Sequence, residues 1–315
     1  MKKTTASILE LSNLFRTGKI GREQYWRLMR HQHELLRDYR QIVKDSKIGS
    51  ILIEEHGLVV QLDNGLKFVW NPEDVRQAVS IAINHGDYET TERQILEVVA
   101  EGAEVILDVG ANCGWYAIHL QARMAPNGII YAFEPVPKTH EELKANIKLN
   151  NLQDKIKEQN IALSDQSGTA VMYLPNFSGS PAASLRNLHE EEENIEVECK
   201  LEQLDEFCHT RGVARIDLIK CDVEGAELLV LRGGKESIKK YRPVLFIEIL
   251  RKWSHEFGYH PNDILNFLHE LGYCCWGIAG TELVPHTEVD ERTGATNYLF
   301  AITEVHGDLI EKLGL

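Results

Sequence analysis

Residues 105–120, VILDVGANCGWYAIHL, decide the fold because they join an apolar strand to a helix through a turn that contains glycine. The strand pattern ends at Gly110, and Gly114 precedes the helical pattern. Glycine has no Cβ, so the backbone of this turn can approach a ligand closely. In sheets of parallel strands, ligands bind beyond the carboxyl ends of the strands. The turn is therefore the first candidate binding element of the chain.

Strand and helix patterns alternate around this turn, which predicts an α/β fold with a doubly wound, mainly parallel sheet. The predicted strands span residues 105–109, 129–133, 157–163, 216–221 and 244–249. The predicted helices span residues 72–84, 90–100, 115–124, 138–150, 226–231 and 262–271. The final strands, 274–278 and 297–302, are joined without a helix and can pair antiparallel. Between residues 170 and 210 the alternation is interrupted, which indicates a mobile loop rich in Gly, Ser and Pro.

The flanking segments predict the organisation of the rest of the chain. Residues 1–48 form a helical extension, since apolar residues recur at helical spacing on both sides of a TGKIG break. Residues 49–86 form a β-hairpin and a linking helix, with Asp63-Asn64-Gly65 supplying the positive-φ positions of a tight turn. Residues 87–303 form the ligand-binding domain and residues 304–315 a C-terminal tail. The extension has no core of its own, so we expect it to cover the binding cleft or to build a homodimer.

The charge of the chain is unevenly distributed. Its 315 residues carry a formal net charge of -14, but residues 1–50 carry eleven Lys and Arg against five Asp and Glu. The acidic remainder repels phosphate groups, so we expect no nucleic-acid partner. The six cysteines show no CxxC pair, and the sequence has neither a membrane-length apolar run nor a signal-peptide pattern. These features predict a cytoplasmic protein with reduced thiols and no membrane span.

The glycine turn differs from a dinucleotide-binding fingerprint. Its spacing is G-x-x-x-G rather than G-x-G-x-x-G, and Asn112 holds the place of the second glycine. Asp108 would repel a pyrophosphate but suits a ligand that carries an ammonium group. The next strand ends at Glu134, where an acid can accept hydrogen bonds from both hydroxyls of a ribose; an acid that begins a helix is the alternative. Together these positions indicate an adenosine with a cationic amino-acid tail, which is S-adenosylmethionine.

The motifs DVGANCG (108–114), FEP (133–135) and DVEGAE (222–227) together resemble the FkbM family of S-adenosylmethionine-dependent methyltransferases. HGDYETTERQIL upstream and NIALSDQSG between the motifs are also similar to that family's pattern, so the resemblance covers roughly residues 88–301. It implies a class I methyltransferase (Rossmann-like) fold of seven strands, the last inserted antiparallel. It also implies methyl transfer to a hydroxyl oxygen of a sugar, polyketide or other secondary metabolite.

The resemblance further implies which residues bind the cofactor. The glycine turn would lie under the methionine part, and Glu134 would hold the ribose. Ala162, Leu163 and Asp165 would lie beside the adenine, and Glu89 would approach the amino group. The complete set of cofactor-binding candidates is Glu89, Asp108, Gly110, Asn112, Gly114, Glu134, Ala162, Leu163 and Asp165.

Residues 216–234, IDLIKCDVEGAELLVLRGG, place three acids directly after an apolar strand. Asp222 ends the strand and Glu224 can point into the same cleft, so both are candidates for the base that an aliphatic hydroxyl requires. Glu227 begins a helix, where the macrodipole favours negative charge, and we interpret it as structural. His255 is a further candidate base, since its ordinary pKa of about 6.5 suits proton transfer at neutral pH.

Acids at the ends of two neighbouring strands could also bind a divalent cation such as Mg²⁺. Glu248 lies near the end of the next strand, so Asp222, Glu224 and Glu248 are candidate metal ligands. A cation would orient the acceptor hydroxyl and lower its pKa. The alternative is that Asp222 contacts the cofactor and that Glu248 is a packed, hydrogen-bonded acid.

The leading hypothesis is an S-adenosylmethionine-dependent O-methyltransferase that acts on a small-molecule hydroxyl acceptor. The flexible sequence of residues 175–188 makes that segment a candidate lid over the acceptor, or else a connecting chain. A non-catalytic S-adenosylmethionine-binding module remains an alternative function. An NAD-dependent oxidoreductase is a second alternative, which the missing middle glycine disfavours.

Overall fold

Helices α1 (Ile8–Arg16) and α2 (Arg22–Lys44) form a helical hairpin. The computed structural model describes residues 6–55, 57–175, 183–188 and 193–315. The Ser7 hydroxyl accepts a hydrogen bond from the backbone N–H of Glu10, and the Glu10 carboxylate accepts one from the backbone of Ser7. This capping box stabilises the start of α1 by roughly 1 kcal/mol. None of the residues of α2 is fully buried, so α2 lies on the surface, as an extension without its own core must.

A small antiparallel sheet follows the helical hairpin. Its strands β1 (Ile48–Glu54), β2 (Gly57–Leu62) and β3 (Lys67–Trp70) pair in that order. The predicted turn joins β2 to β3, and β1 adds a further strand to the predicted hairpin. The sheet packs on the main domain through Phe68, which is fully buried.

The main sheet has eight strands within the described residues, in the order β13-β12-β14-β11-β10-β4-β5-β6. Their bounds are β4 Val105–Val109, β5 Ile129–Phe133, β6 Ile156–Gln159, β10 Leu218–Cys221, β11 Val244–Glu248, β12 Cys274–Ala279, β13 Glu282–Pro285 and β14 Asn297–Ala301. β14 pairs antiparallel with both β11 and β12, whereas the strands from β11 to β6 pair parallel. The predicted doubly wound sheet with an antiparallel insertion is confirmed, and β13 is an additional edge strand.

Helices cover both faces of this sheet, and the strand residues alternate between the two cores. In β4, Ile106 packs in one buried cluster and Leu107 in the other, because successive strand residues point to opposite faces. Burial of a side chain of this size stabilises the fold by roughly 1.5–3 kcal/mol. The helices are α3 Ala78–His85, α4 Thr90–Val99, α5 Trp115–Gln121, α6 Pro137–Leu149, α7 Leu204–Arg211, α8 Glu227–Gly233, α9 Lys235–Tyr241, α10 Arg251–Glu256, α11 Pro261–Glu270 and α12 Thr303–Lys312. Among the described helices, none is both long enough and apolar enough to cross a membrane.

The prediction of a mobile loop between residues 170 and 210 is wrong for most of that segment. β8 (Gly168–Pro175) and β9 (Asn194–Glu202) pair antiparallel along their whole length, and β7 (Ala162–Leu163) joins β9 to form a further sheet. Met172 and Leu201 are buried on one face of this sheet, while Glu196, Glu198 and Lys200 of β9 are exposed on the other. The predicted lid falls partly outside the described residues, which include 183–188 but not 176–182. The segment predicted as a C-terminal tail forms α12.

Candidate active site

The turn between β4 and α5 lies directly against the end of β10. Gly110 adopts φ of +78°, and a Cβ built on it would lie 1.8 Å from the carbonyl oxygen of Asp222. Gly114 also adopts a positive φ, and its Cβ would meet Leu143 at 2.6 Å. Side chains at these positions would therefore separate the elements that form the cleft. Gly110 and Asn112 line this cleft, whereas Gly114 supports it from the side of α6.

Glu134, at the end of β5, is held by backbone donors on both sides. Its Oε2 accepts the N–H of Asn112 at 3.0 Å, and its Oε1 accepts the N–H of Val136 at 2.9 Å. Burial raises the pKa of Glu134 to about 7, although both backbone N–H groups act in the opposite direction. Each carboxylate oxygen keeps a second lone pair, so the group can still accept hydrogen bonds from a diol in the cleft.

The wall beside Glu134 is apolar and has the chemistry expected of an adenine pocket. Ala162 and Leu163 line it, together with Phe133 and Met172. Asp165 is not among the described residues that line the cleft. Its backbone carbonyl instead accepts a hydrogen bond from the side chain of Gln203.

Asp108 lies beneath the cleft rather than on its wall. Its Oδ2 accepts the backbone N–H of Ala117 at 3.1 Å. Its Oδ1 is buried without a hydrogen-bond partner among the described residues, and lies 4.0 Å from Nζ of Lys220. Burial raises the pKa of Asp108, and the nearby ammonium group of Lys220 opposes this effect. The structure thus directs Asp108 toward Lys220 and the start of α5.

Glu89 also lines the cleft, as the N-cap residue that precedes α4, and it adopts a left-handed conformation with φ of 43°. The Tyr116 hydroxyl donates to its Oε2 at 2.5 Å. Burial raises the pKa of Glu89, and the hydrogen bond from Tyr116 lowers it. Asn112 and Glu224 also line the cleft with positive φ, at 49° and 51°. Such backbone strain is concentrated at functional sites in proteins.

The predicted cluster of acids is present. Asp222, Glu224 and Glu248 each place an oxygen within 4.8 Å of the others, and all three line the cleft. Burial and the neighbouring carboxylates of Asp222 and Glu224 raise the pKa of Glu248, and the carboxyl group of Glu248 shares a hydrogen bond with Asp222. Burial, Asp222 and Glu227 raise the pKa of Glu224 to about 8. These acids could hold a divalent cation, or could bind the hydroxyls of an acceptor.

Glu227 and His255 lie outside the cleft. The Oε1 of Glu227 accepts the backbone N–H groups of Val223 and Gly225, and its Oε2 accepts the hydroxyl of Tyr259. The buried Glu227 therefore supports the turn before α8, in agreement with a structural role. His255 lies on α10 with 88% of its side chain exposed, next to Glu256. The structure does not bring this candidate base to the cleft.

Lys220 is a cleft residue that the sequence analysis missed. It lies in β10 with 6% of its side chain exposed, and its Nζ lies 3.1 Å from Oδ2 of Asp222. Burial alone would lower the pKa of Lys220, but the carboxylates of Asp222 and Asp108 raise it. A lysine inside an apolar strand requires a buried partner of opposite charge. Its presence in the strand sequence could therefore have indicated a buried ion pair near the cleft.

The order β6-β5-β4-β10-β11-β14-β12, with a cleft at the carboxyl ends of the parallel strands, defines the class I methyltransferase fold. A model of the family described as "Methyltransferase FkbM domain" matches residues 108–275. The chain belongs to the FkbM methyltransferase family.

Named relatives show how much of the chain this similarity covers. The 2-O-methyltransferase NoeI of Sinorhizobium fredii is 30% identical over 210 residues, which are 62% of this chain and 79% of NoeI. The methyltransferase sdnD of Sordaria araneosa is 32% identical over 157 residues, which are 42% of this chain and 60% of sdnD. The crystal structure of a methyltransferase FkbM from Methylobacillus flagellatus is 16% identical with a TM-score of 0.40, over 64% of this chain and 44% of that one.

Proposed function

We propose that the protein transfers a methyl group from S-adenosylmethionine to a hydroxyl group of a small molecule. The observation that carries this proposal is that one cleft combines Glu134, held by two backbone donors, with the acids Asp222 and Glu224. The printed names of relatives support an oxygen acceptor: one is a 2-O-methyltransferase, and one is a 31-O-demethyl-FK506 methyltransferase from Streptomyces tacrolimicus. The relative AglP of Haloferax volcanii is named a hexuronic acid methyltransferase, which supports a sugar among the acceptors.

The residues of the cleft fit the chemistry of S-adenosylmethionine. The free lone pairs of Glu134 can bind the ribose, and the apolar wall at Ala162 and Leu163 can cover the adenine. Glu89 can offer negative charge to the ammonium group of the cofactor, and Asp222 can offer it to the cationic sulfonium. When bound, the cofactor supplies an electrophilic methyl group on a cationic sulfur.

The two acids that follow β10, Asp222 and Glu224, have different roles toward the acceptor hydroxyl in this proposal. In this proposal Glu224 accepts the proton of the acceptor hydroxyl, because Asp222 already accepts hydrogen bonds from Lys220 and Glu248. Asp222 then orients the hydroxyl. Orientation matters because the reacting atoms must lie about 3 Å apart and in line.

Turnover to S-adenosylhomocysteine with a panel of sugar, hexuronic acid and polyketide alcohols tests the proposal. The Glu224→Gln variant should bind S-adenosylhomocysteine as the wild type does and lose about 10²–10⁴-fold in kcat, the usual contribution of a positioned base. Glu270→Gln, at an exposed position of α11, is the matched control and should keep full turnover. Wild-type turnover in Glu224→Gln would remove Glu224 from the mechanism. Binding without turnover on any acceptor would favour a non-catalytic module, and binding of NAD in preference would favour an oxidoreductase.

Metal removal tests the other role of the acid cluster. We expect turnover to persist in excess EDTA, because the ammonium group of Lys220, which lies 3.1 Å from Oδ2 of Asp222, already compensates charge in the cluster. Activity is measured after chelation and again after Mg²⁺ is added back. A loss that Mg²⁺ restores would instead show that Asp222, Glu224 and Glu248 bind a cation.

A further inference from the structure

Lys220 connects the separate parts of the cleft. Its Nζ lies 3.1 Å from Oδ2 of Asp222, 3.4 Å from the carbonyl oxygen of Gly110 and 4.0 Å from Oδ1 of Asp108. The ring centroid of Tyr116 is 5.1 Å from the same nitrogen. A buried ammonium group costs free energy unless acceptors surround it, and here carboxylate, carbonyl and ring do so.

The sheet itself brings these groups together. Lys220 on β10 and Asp108 on β4 are directly paired across the parallel strands. Lys220 and Asp222 are two residues apart, and strand periodicity points such residues to the same face. Gly110 follows β4, and its missing Cβ lets the backbone of that turn touch the backbone of Asp222. The ammonium group therefore lies where the turn between β4 and α5 meets Asp222, the residue directly after β10.

We propose that Lys220 is a positioning residue. Its ammonium group holds the Asp222 carboxylate against the turn between β4 and α5, so that the carboxylate meets the acceptor hydroxyl in one orientation. This inference rests on the proposed methyl transfer. The surrounding geometry supports it because 31% of the Asp222 side chain is exposed, so the cleft alone does not fix its rotamer. Glu224 and Glu248 each place an oxygen within 4.8 Å of an Asp222 oxygen, so the Asp222 carboxylate has acidic neighbours as well as Lys220.

Substitutions at Lys220 and Asp222, singly and together, test whether one acts through the other. Lys220→Met removes the charge and keeps an unbranched apolar stem, and Lys220→Gln keeps an N–H donor for Asp222. Lys200→Met, at an exposed position of β9, is the matched control. For each variant we would measure kcat with the best wild-type acceptor, and the Kd for S-adenosylhomocysteine by titration calorimetry.

A positioning role predicts a specific pattern in these numbers. Lys220→Met and Asp222→Asn should each lower kcat by about 100-fold, the usual effect of a displacement of about 1 Å at a reacting group. The double variant should lose no more than either single variant, and Lys220→Gln should keep more turnover than Lys220→Met. The Kd for S-adenosylhomocysteine should stay within about threefold of wild type, because the Glu134 and adenine contacts are intact.

Other outcomes overturn the inference. Losses that multiply in the double variant would show that Lys220 acts independently of Asp222. Wild-type kcat in Lys220→Met would show that it does not act on the reaction. Equal losses in Lys220→Met and Lys220→Gln, or failure of both to fold, would assign Lys220 a structural role. Failure of the proposed function itself is distinguishable, since the wild-type protein would then turn over none of the acceptors.

Discussion

At the residue scale, three residues that line the cleft have a left-handed backbone conformation that lowers the stability of the fold: Glu89, Asn112 and Glu224. Each residue with a Cβ in this region costs roughly 1–2 kcal/mol relative to a right-handed conformation. The surrounding contacts compensate for this cost, as the Asn112 N–H does by donating to Glu134. We interpret the strain as the consequence of directing these side chains into the cleft.

Substitution of Glu224 by two small residues separates backbone strain from the loss of the acid. The free energy of unfolding of Glu224→Gly should be about 1 kcal/mol higher than that of Glu224→Ala, so the glycine variant is the more stable one. Glycine adopts φ of 51° without steric cost, whereas alanine does not. Urea denaturation followed by circular dichroism measures the difference. At Glu236, inside α9, the same pair should show the opposite order. Equal stabilities of the Glu224 variants would contradict the strain argument.

His119 predicts a pH dependence of stability. It is buried on α5, its Nδ1–H donates to the carbonyl of Trp115, and burial lowers its pKa to about 4. Because the folded pKa lies below the ordinary value of 6.5, the unfolded chain binds the proton first, and stability is lost as the pH falls from about 6.5 toward 4. Between pH 7 and pH 5, the wild type should lose about 2 kcal/mol more than His119→Gln. Parallel unfolding curves for both proteins at the two pH values would contradict this.

The site residues differ in how far sequence could predict them. Asp222, Glu224 and Glu248 were predicted as a group because strand ends of a parallel sheet converge, and they do lie together. Lys220 was missed because pattern reading treats an apolar run as core, and its partner Asp108 is far away in sequence. His255 was an unsuccessful candidate, because residue type alone does not fix the direction in which a short helix presents its side chains.

At the element scale, the segment of residues 183–188 is tied to the acid cluster. Ala183 and Leu185 line the cleft, and the buried Ser184 donates its hydroxyl hydrogen bond to the carbonyl of Glu224 at 2.8 Å. Backbone hydrogen bonds between Ser184 and Tyr173 attach the segment to β8. The segment therefore links the β8–β9 sheet to the strained turn that carries the proposed base.

Ser184→Ala tests this link. Loss of the hydrogen bond should lower the unfolding free energy by about 1 kcal/mol and kcat by about tenfold, because Glu224 loses a restraint on its backbone. Steady-state turnover and urea denaturation measure both effects. Ser167→Ala is the control. The Ser167 hydroxyl contacts Glu206 at the end of the β8–β9 pair that is remote from residues 183–188, so this substitution should change kcat little. A variant that loses stability but keeps wild-type kcat would show that the segment is structural only.

The β8–β9 sheet also shows why some elements could not be predicted. β9 alternates apolar and charged residues, whereas β8 carries no charged residue, and a Gly-, Ser- and Pro-rich stretch and a run of glutamates lie between the two strands. Local composition therefore indicated a loop, while long-range pairing determines the strands. The strand predicted over 157–163 divides for a related reason: β6 and β7 belong to different sheets.

At the scale of the whole molecule, the helical hairpin differs from the rest of the chain in its charge and in its exposed apolar side chains. None of the described residues in 6–48 lines the cleft. Trp26, Leu35 and Leu36 are 60%, 50% and 57% exposed on α2. The basic hairpin and the acidic remainder are electrostatically complementary, so we propose that the hairpin packs on a second copy of the chain.

Oligomeric state tests this proposal. The wild-type protein should be a dimer by light scattering after gel filtration, and Leu36→Glu should be a monomer with unchanged S-adenosylhomocysteine binding, because a buried unpaired carboxylate opposes association. Gln24→Glu, which adds the same charge at an exposed polar position of α2, should dissociate less. A monomeric wild type at micromolar concentration, or a dimeric Leu36→Glu, would contradict it.

The overall architecture was the part that sequence predicted best, because strand and helix periodicities are local and strongly alternating between residues 105 and 271. Strand order was available only through the family resemblance, and the edge strand β13 was not predicted. Short edge strands such as Glu282–Pro285, which is largely exposed, carry little hydrophobic pattern.

The most direct test of the central claim is calorimetric titration of the protein with S-adenosylhomocysteine, for the wild type, Glu134→Ala and the control Glu141→Ala on the exposed side of α6. We expect the wild type and the control to bind alike, and Glu134→Ala to bind about 10–100-fold more weakly, since hydrogen bonds to a carboxylate contribute about 1.5–3 kcal/mol. No binding by the wild type, or equal binding by Glu134→Ala, would contradict the assignment of this cleft as the cofactor site of a methyltransferase.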